Sequence, residues 1–249
     1  MELKILKDYN ELSQAAAGLI ANHISNKPDA TVCFATGDTP RLCYTILTEK
    51  IKNERIDIRQ CFFIGLDEWV GIAPENAGSC SHFLHHYLLD PLGMPASQWH
   101  LFNAFPENEM EECKKMDAVI AQRGGIDLLV AGIGLNGHIG FNEPGTDINT
   151  GSHIKELDEI TKQTGQKYFH AAAPLQKGIT VGLKQIMEAE VLLMLASGQK
   201  KATVIKKTLQ NEIGTDFPAT LIRQHKRGIL IIDSEAAYEP EPASRGLCN

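Results

Sequence analysis

The residues best suited to moving protons lie in one glycine-rich stretch, Gly132-Ile-Gly-Leu-Asn-Gly-His-Ile-Gly-Phe-Asn-Glu-Pro-Gly145. It presents Asn136, His138, Asn142 and Glu143. A histidine with a carboxylate five residues on, held on a constrained loop, suits a proton-transfer pair. The competing reading is that both side chains satisfy loop hydrogen bonds. The first six residues also match G-x-G-x-x-G, which taken literally suggests a dinucleotide site. That motif needs a helix to begin at once, whereas Gly140, Pro144 and Gly145 follow closely and cannot sustain one. The stretch therefore reads as a rigid loop that presents side chains.

Two other short segments carry chemistry-bearing residues. Asp67 and Glu68 follow an apolar run. They read either as helix caps or as a general base, because a carboxylate shielded at a strand end gains a raised pKa. Asp67, the first residue past the strand, is the better base, and Glu68 is expected to point elsewhere. Thr36-Gly37-Asp38-Thr39-Pro40 joins a strand to a helix start. Its backbone N–H groups, the helix dipole and the hydroxyls of Thr36 and Thr39 could cradle an anion. The competing reading is an ordinary capped turn. The G-K-[ST] ending of a Walker loop is missing, and Asp38 would repel a phosphate unless it points away.

These segments need a scaffold. Asp8-Tyr-Asn-Glu11 reads as a capping box opening a helix to about Asn26. Strands are expected at Thr31–Ala35, Cys61–Leu66, Ile126–Val130, Val191–Leu195 and Gly228–Ile232. Helices are expected at Arg41–Lys52, from a Ser79 or Ser81 cap through Leu88, at Glu109–Arg123 and at Lys200–Leu209. A long irregular region follows the glycine loop to about Gly178. The pattern predicts an α/β fold: a single Rossmann-like three-layer domain spanning residues 1–249, with a mostly parallel sheet and helices on both faces. Residues 234–249 are polar and Pro-bearing and are expected to form a loose tail. Ligands of open α/β sheets sit beyond the carboxyl ends of the strands, where all three segments lie.

Composition narrows the function classes. The chain has 249 residues, 43% of them hydrophobic, with a formal net charge of -7. Its basic clusters, Lys206-Lys207 and Arg223 to Arg227, are short, so no nucleic-acid partner is expected. No apolar run approaches a membrane span and no secretory signal opens the chain, so no membrane partner is expected and the cytoplasm is the expected compartment. The six cysteines form no C-x-x-C and are expected to be free thiols, several buried. His82 and His86 have i, i+4 spacing without the Glu of H-E-x-x-H, so a packing or surface role is expected rather than a metal site.

Four segments together resemble the glucosamine-6-phosphate deaminase and galactosamine-6-phosphate isomerase family, relatives of 6-phosphogluconolactonase. They are Ala35-Thr-Gly-Asp-Thr-Pro40, Leu66-Asp-Glu-Trp69, Gly132 to Gly145 and Ser197-Gly-Gln-Lys-Lys-Ala202. They fall in family order across nearly the whole chain. Gly-His-Ile-Gly-Phe-Asn-Glu-Pro-Gly is the most specific, since the lactonases share Gly-His without Asn-Glu-Pro-Gly. Trp69 resembles the galactosamine-type branch.

The resemblance implies conversion of a small-molecule amino-sugar phosphate, galactosamine or glucosamine 6-phosphate, to the ketose 6-phosphate and ammonia. It assigns the ring-opening proton to His138 helped by Glu143, the C2-to-C1 proton to Asp67, and the orientation of His138 to Asn136. Thr36, Gly37, Asp38, Thr39 and Lys201 would hold the phosphate, with Lys167 where an Arg is common. It implies no metal and no organic cofactor. The chain departs from the pattern at Asn136, where many members carry Asp, at Asp38, where a small residue is usual, and at Lys167. Two other readings are a lactone hydrolase, against which Glu143 argues, and a non-catalytic sugar-phosphate sensor. The latter would need a DNA-binding segment, and the roughly 30 residues before Thr31 leave no helix-turn-helix room. A homo-oligomer is left open.

Overall fold

The computed structural model describes residues 1–237. Among the described residues ten strands run in chain order: β1 (Glu2–Leu6), β2 (Thr31–Phe34), β3 (Phe62–Gly65), β4 (Asp67–Trp69), β5 (Trp99–His100), β6 (Leu128–Gly132), β7 (His153–Glu156), β8 (Lys177–Thr180), β9 (Val191–Ala196) and β10 (Gly228–Asp233). Seven of them form one parallel sheet in the order β1-β10-β9-β6-β2-β3-β5.

The central strands are buried on both faces, which is why they read as continuous apolar runs. Their side chains alternate between two cores. Val32, Phe34, Leu128, Val130, Val191 and Leu193 pack with the helices α1 (Tyr9–Asn26) and α2 (Asp38–Asn53). Cys33, Leu129, Ala131, Leu192 and Met194 pack on the opposite face, with the helices Glu109–Gln122 and Ala202–Gln210. Period-two alternation thus gives the three expected layers.

The strand order reverses between β2 and β6. The chain runs outward from β2 to β3 and β5, returns to β6 on the other side of β2, and continues outward to β9 and β10. A crevice opens beyond the carboxyl ends at such a switch point. The loops that leave β2 and β6 are those of Thr36 and His138.

Several expectations change. The region expected to be irregular up to Gly178 holds β7, a helix at Glu159–Gly165 and β8. With β4 these strands make a second sheet, antiparallel, in the order β4-β8-β7. Its strands are three or four residues long, too short for a clear period in sequence. Asp67–Trp69 is therefore strand, not loop. Only Leu66 separates it from β3, with its N–H donating to Phe34 O at 3.0 Å in the first sheet and its carbonyl accepting from Val181 N at 2.9 Å beside the second.

Helix α2 begins at Asp38, three residues before the expected start, because Asp38 and Thr39 take helical geometry ahead of Pro40. The helix after Ser79 changes pitch to π at His85–Leu89. Ser234–Ala237, expected in the loose tail, is a helical turn. Ala236 is fully buried and its N–H donates to Asp233 Oδ1 at 2.8 Å. The rest of the expected tail, with Cys248, lies outside the described residues. The other five cysteines are free and buried. Among the described residues no helix is long and apolar enough to cross a membrane.

Candidate active site

A cavity of about 470 Å3 occupies the crevice. Thr36, Gly37, Asp38, Thr39, Asp67, His138, Lys167 and Lys201 line it, and Asn136 and Glu143 stand behind His138. The ten residues singled out in the sequence thus meet in one place.

Glycine makes the histidine wall feasible. A Cβ at Gly134 would lie 2.2 Å from His138 Cε1, so the imidazole rests on bare backbone. Gly134 N donates to His138 O at 2.9 Å and closes the loop on itself. No helix follows β6 before Glu159, so the dinucleotide motif has no structural counterpart. Asn142, expected to be presented, is fully buried. Its Nδ2 donates to Ile139 O and Val181 O, each at 2.9 Å, so it ties the loop to β8.

Behind the imidazole lies a directional relay. Glu143 is 3% exposed. Its Oε2 accepts from Asn136 Nδ2 at 2.7 Å, and Asn136 Oδ1 lies 2.7 Å from His138 Nδ1. A carboxylate only accepts, so it fixes which way the amide of Asn136 faces. Asn136 Oδ1 then requires a proton on His138 Nδ1, leaving Nε2 of the neutral ring as the acceptor at the cavity wall. Thr161 Oγ1 adds a contact to Nδ1 at 3.2 Å. Burial works against ionisation of Glu143, but hydrogen bonds from His138, Thr161 and Asn136, with charge on His138, outweigh it and hold the carboxyl at about 2.

Asp67 stands in the opposite condition. Its Oδ1 is buried without a hydrogen-bond partner. Burial pushes its carboxyl up to about 7, charge on Glu68 adds to this, and the Cys80 thiol partly opposes it. The neighbouring Glu68 points away, as expected. Its carboxylate accepts from the N–H groups of Trp69 (2.8 Å), Cys80 (2.9 Å) and Ser81 (2.8 Å). Glu68 is thus a cap for the helix at Cys80–Leu84, and Asp67 is left free for chemistry.

The third wall is cationic. No side chain caps α2, whose N-terminus opens on the cavity at Gly37, where φ is 109°. Lys201 donates to Ile133 O, and burial, helped by Lys167, lowers its ammonium to about 8 against the opposing charge of Asp38. Lys167 Nζ pairs with Asp38 Oδ2 at 2.7 Å, and Arg41 Nη2 with Asp38 Oδ1 at 2.8 Å. The Asp38 carboxylate is therefore paired with two cations.

Sequence reasoning missed Arg41, Thr161 and Tyr168, all of which line the cavity. Thr161 and Tyr168 lie in the segment expected to be irregular. The available signal was Asp158, whose carboxylate caps the Glu159–Gly165 helix by accepting from Ile160 N at 2.8 Å. His82 and His86 also line the cavity, stacked with ring centroids 6.2 Å apart. Among the described residues no group of three His, Cys, Asp or Glu could hold a metal ion.

The profile of glucosamine-6-phosphate isomerases/6-phosphogluconolactonase matches residues 7–231. A glucosamine-6-phosphate deaminase of Thermoanaerobacter pseudethanolicus is 38% identical, over 95% of this chain and 94% of its own. One of Bacillus pumilus is 38% identical, over 95% and 98%. The solved structure of a monomeric glucosamine-6-phosphate deaminase superposes with a TM-score of 0.91 at 32% identity, over 95% of this chain and 99% of that one. A 6-phosphogluconolactonase of Trypanosoma brucei gives 0.76 at 19% identity, over 95% and 97%, a likeness of fold alone. With its three-layer fold and its cavity at the switch point, the chain belongs to the family of glucosamine-6-phosphate isomerases and 6-phosphogluconolactonases.

Proposed function

We propose that this chain is an amino-sugar-phosphate deaminase/isomerase that converts glucosamine or galactosamine 6-phosphate to the ketose 6-phosphate and ammonia. One observation carries the reading. A carboxylate with one unpartnered oxygen and a pKa near neutral, an oriented imidazole and a cationic wall share one cavity.

The chemistry follows from the groups present. The phosphate lies against the α2 N-terminus with Thr36, Gly37, Thr39, Lys201 and Lys167, and so fixes the reacting carbons from a distance. His138 Nε2 accepts the C1 hydroxyl proton and returns it to the ring oxygen as the C1–O bond opens. The charge of Glu143, whose Oε2 lies 3.6 Å from Nδ1, stabilises the imidazolium that forms between these steps, and Asn136 orients the ring. Asp67 takes the C2 proton and delivers it to C1, and a proton passes from the amine nitrogen to O1, which leaves a C2 imine beside a C1 hydroxyl. Water adds to that imine, ammonia departs, and the ketose remains. No step transfers electrons to a cofactor.

The test is direct. The purified protein is incubated with glucosamine 6-phosphate, galactosamine 6-phosphate and 6-phosphogluconolactone, and ammonia, ketose and acid release are followed. Ammonia from at least one amino sugar is expected. Lactone hydrolysis without ammonia from either would refute the reading.

A further inference from the structure

Phosphate recognition does not call for an acid at the cationic end of the cavity, yet Asp38 sits there. Its Oδ2 pairs with Lys167 Nζ at 2.7 Å and its Oδ1 with Arg41 Nη2 at 2.8 Å. The two cations come from different elements. Arg41 is one turn along α2, while Lys167 lies on the 3-10 turn Gln166–Tyr168, at the far wall of the cavity. Tyr9 fixes the backbone that carries the acid, its hydroxyl donating to Asp38 O at 2.8 Å and accepting from Leu42 N at 3.2 Å. The side chains of Asp38, Lys167 and Arg41 are 51%, 49% and 48% exposed, so water can reach both pairs and their partners can exchange.

We propose that Asp38 is an internal counter-ion that sets the affinity of the phosphate subsite: its carboxylate holds Lys167 while the subsite is empty and yields that ammonium to the substrate phosphate, with Arg41 retaining the carboxylate. The proposal rests on the reading that this end of the cavity takes the phosphate. No covalent bond changes; one ion pair replaces another.

Charge arithmetic gives the direction. A phosphate dianion attracts the Lys167 ammonium more strongly than a monoanionic carboxylate does at equal distance. The exchange therefore runs towards phosphate, at the cost of the Asp38–Lys167 pair. Asp38 then remains as a like charge beside the bound dianion. Inorganic phosphate has no sugar contacts to offset either cost, so it is disfavoured more than a sugar phosphate. Arg41 has a distinct part: by keeping the carboxylate at the Oδ1 side it lowers the cost of releasing Lys167.

Calorimetric titration of the full chain with inorganic phosphate tests this. Asp38→Asn changes a half-exposed carboxylate to its amide and should tighten phosphate binding by about two- to fivefold, the order expected for one exposed pair. Unchanged or weaker binding would overturn the proposal. Asp38→Glu, which keeps the charge, should stay near wild type, and tightening equal to that of Asp38→Asn would assign the effect to packing instead. Arg41→Gln should weaken binding, whereas Asp38→Asn with Arg41→Gln should match Asp38→Asn alone. A further loss in the double variant would make Arg41 a direct phosphate ligand and overturn its assigned part. Ammonia release by the wild-type chain, with phosphate affinity unmoved by Asp38→Asn, would reject the counter-ion and leave the deaminase reading intact.

Discussion

Two regions border the cavity, each built around a carboxylate, and they treat it in opposite ways. At the junction of the two sheets, Asp67 Oδ1 has no partner and the carboxyl is pushed up to about 7. In the loop after β6, Glu143 is held by Asn136, with the Asp158 N–H donating to Oε1 at 3.3 Å, and the carboxyl is held at about 2. Environment alone separates two chemically similar acids by this much. The first can exchange a proton near neutral pH. The second is held ionised, 3.6 Å from His138 Nδ1. In the proposed reaction the first serves the transfer between C2 and C1 and the second the ring opening.

The largest expected effect comes from removing the exchangeable acid. Asp67→Asn should lower kcat by about 10^3-fold or more, within the range for a lost general base. The same change should stabilise the fold. The folded pKa of Asp67 lies above its ordinary 3.8, so its neutral form favours the folded state. That contribution is complete below about pH 4 and is lost as pH rises through about 7. At pH 8 the variant should therefore be more stable than wild type by on the order of 1–4 kcal/mol, read from denaturant unfolding. A variant both active and less stable would erase the contrast between the two acids.

Removing the fixed charge should cost less. Glu143→Gln should lower kcat by about 10^2-fold and destabilise the fold by about 1–3 kcal/mol, because Asn136 and the Asp158 N–H lose an ionised acceptor. The linkage sign is reversed here. The folded pKa of Glu143 lies below its ordinary 4.5, so its contribution is present above that value and is lost as pH falls through about 2. Wild type and variant should thus converge in stability as pH falls, and a difference that is undiminished at pH 2 would contradict the assignment.

Asn136→Asp is the smallest change and the sharpest. It replaces a donor to Glu143 by a second carboxylate, which raises the pKa of Glu143 by like charge. Turnover should change by less than about tenfold while Glu143 titrates well above 2 by carboxyl carbon NMR. An unmoved titration would mean that Asn136 does not couple Glu143 to His138.

These contrasts also mark what sequence could and could not disclose. Five of the seven strands of the parallel sheet were legible because they are apolar runs separated by helices; β1, polar and largely exposed, and β5, two residues long, were not. Asp67, His138 and Glu143 were legible because glycines and strand ends isolate them. The second sheet was not legible, since its strands are short and its partners distant, with Asp67 opposite Thr180. That sheet makes Asp67 a strand residue with its Oδ1 buried, and that burial raises its pKa. The neutral residue at 136 left the state of His138 undecided in sequence, because orientation of an amide depends on which acceptor fixes it. Asp38 was legible only as an anomaly. The two cations that pair with it lie 3 and 129 positions away along the chain, and only the first was close enough to suspect.

The most direct measurement is the titration of Asp67 itself, by carboxyl carbon NMR of the free protein, with Asp67→Asn used to assign the resonance. A midpoint near 7, matched by an acid limb in kcat/KM that is due to protonation of the same group, is the expected result. A midpoint near 4 would place Asp67 among ordinary solvated carboxylates and contradict its part as the base.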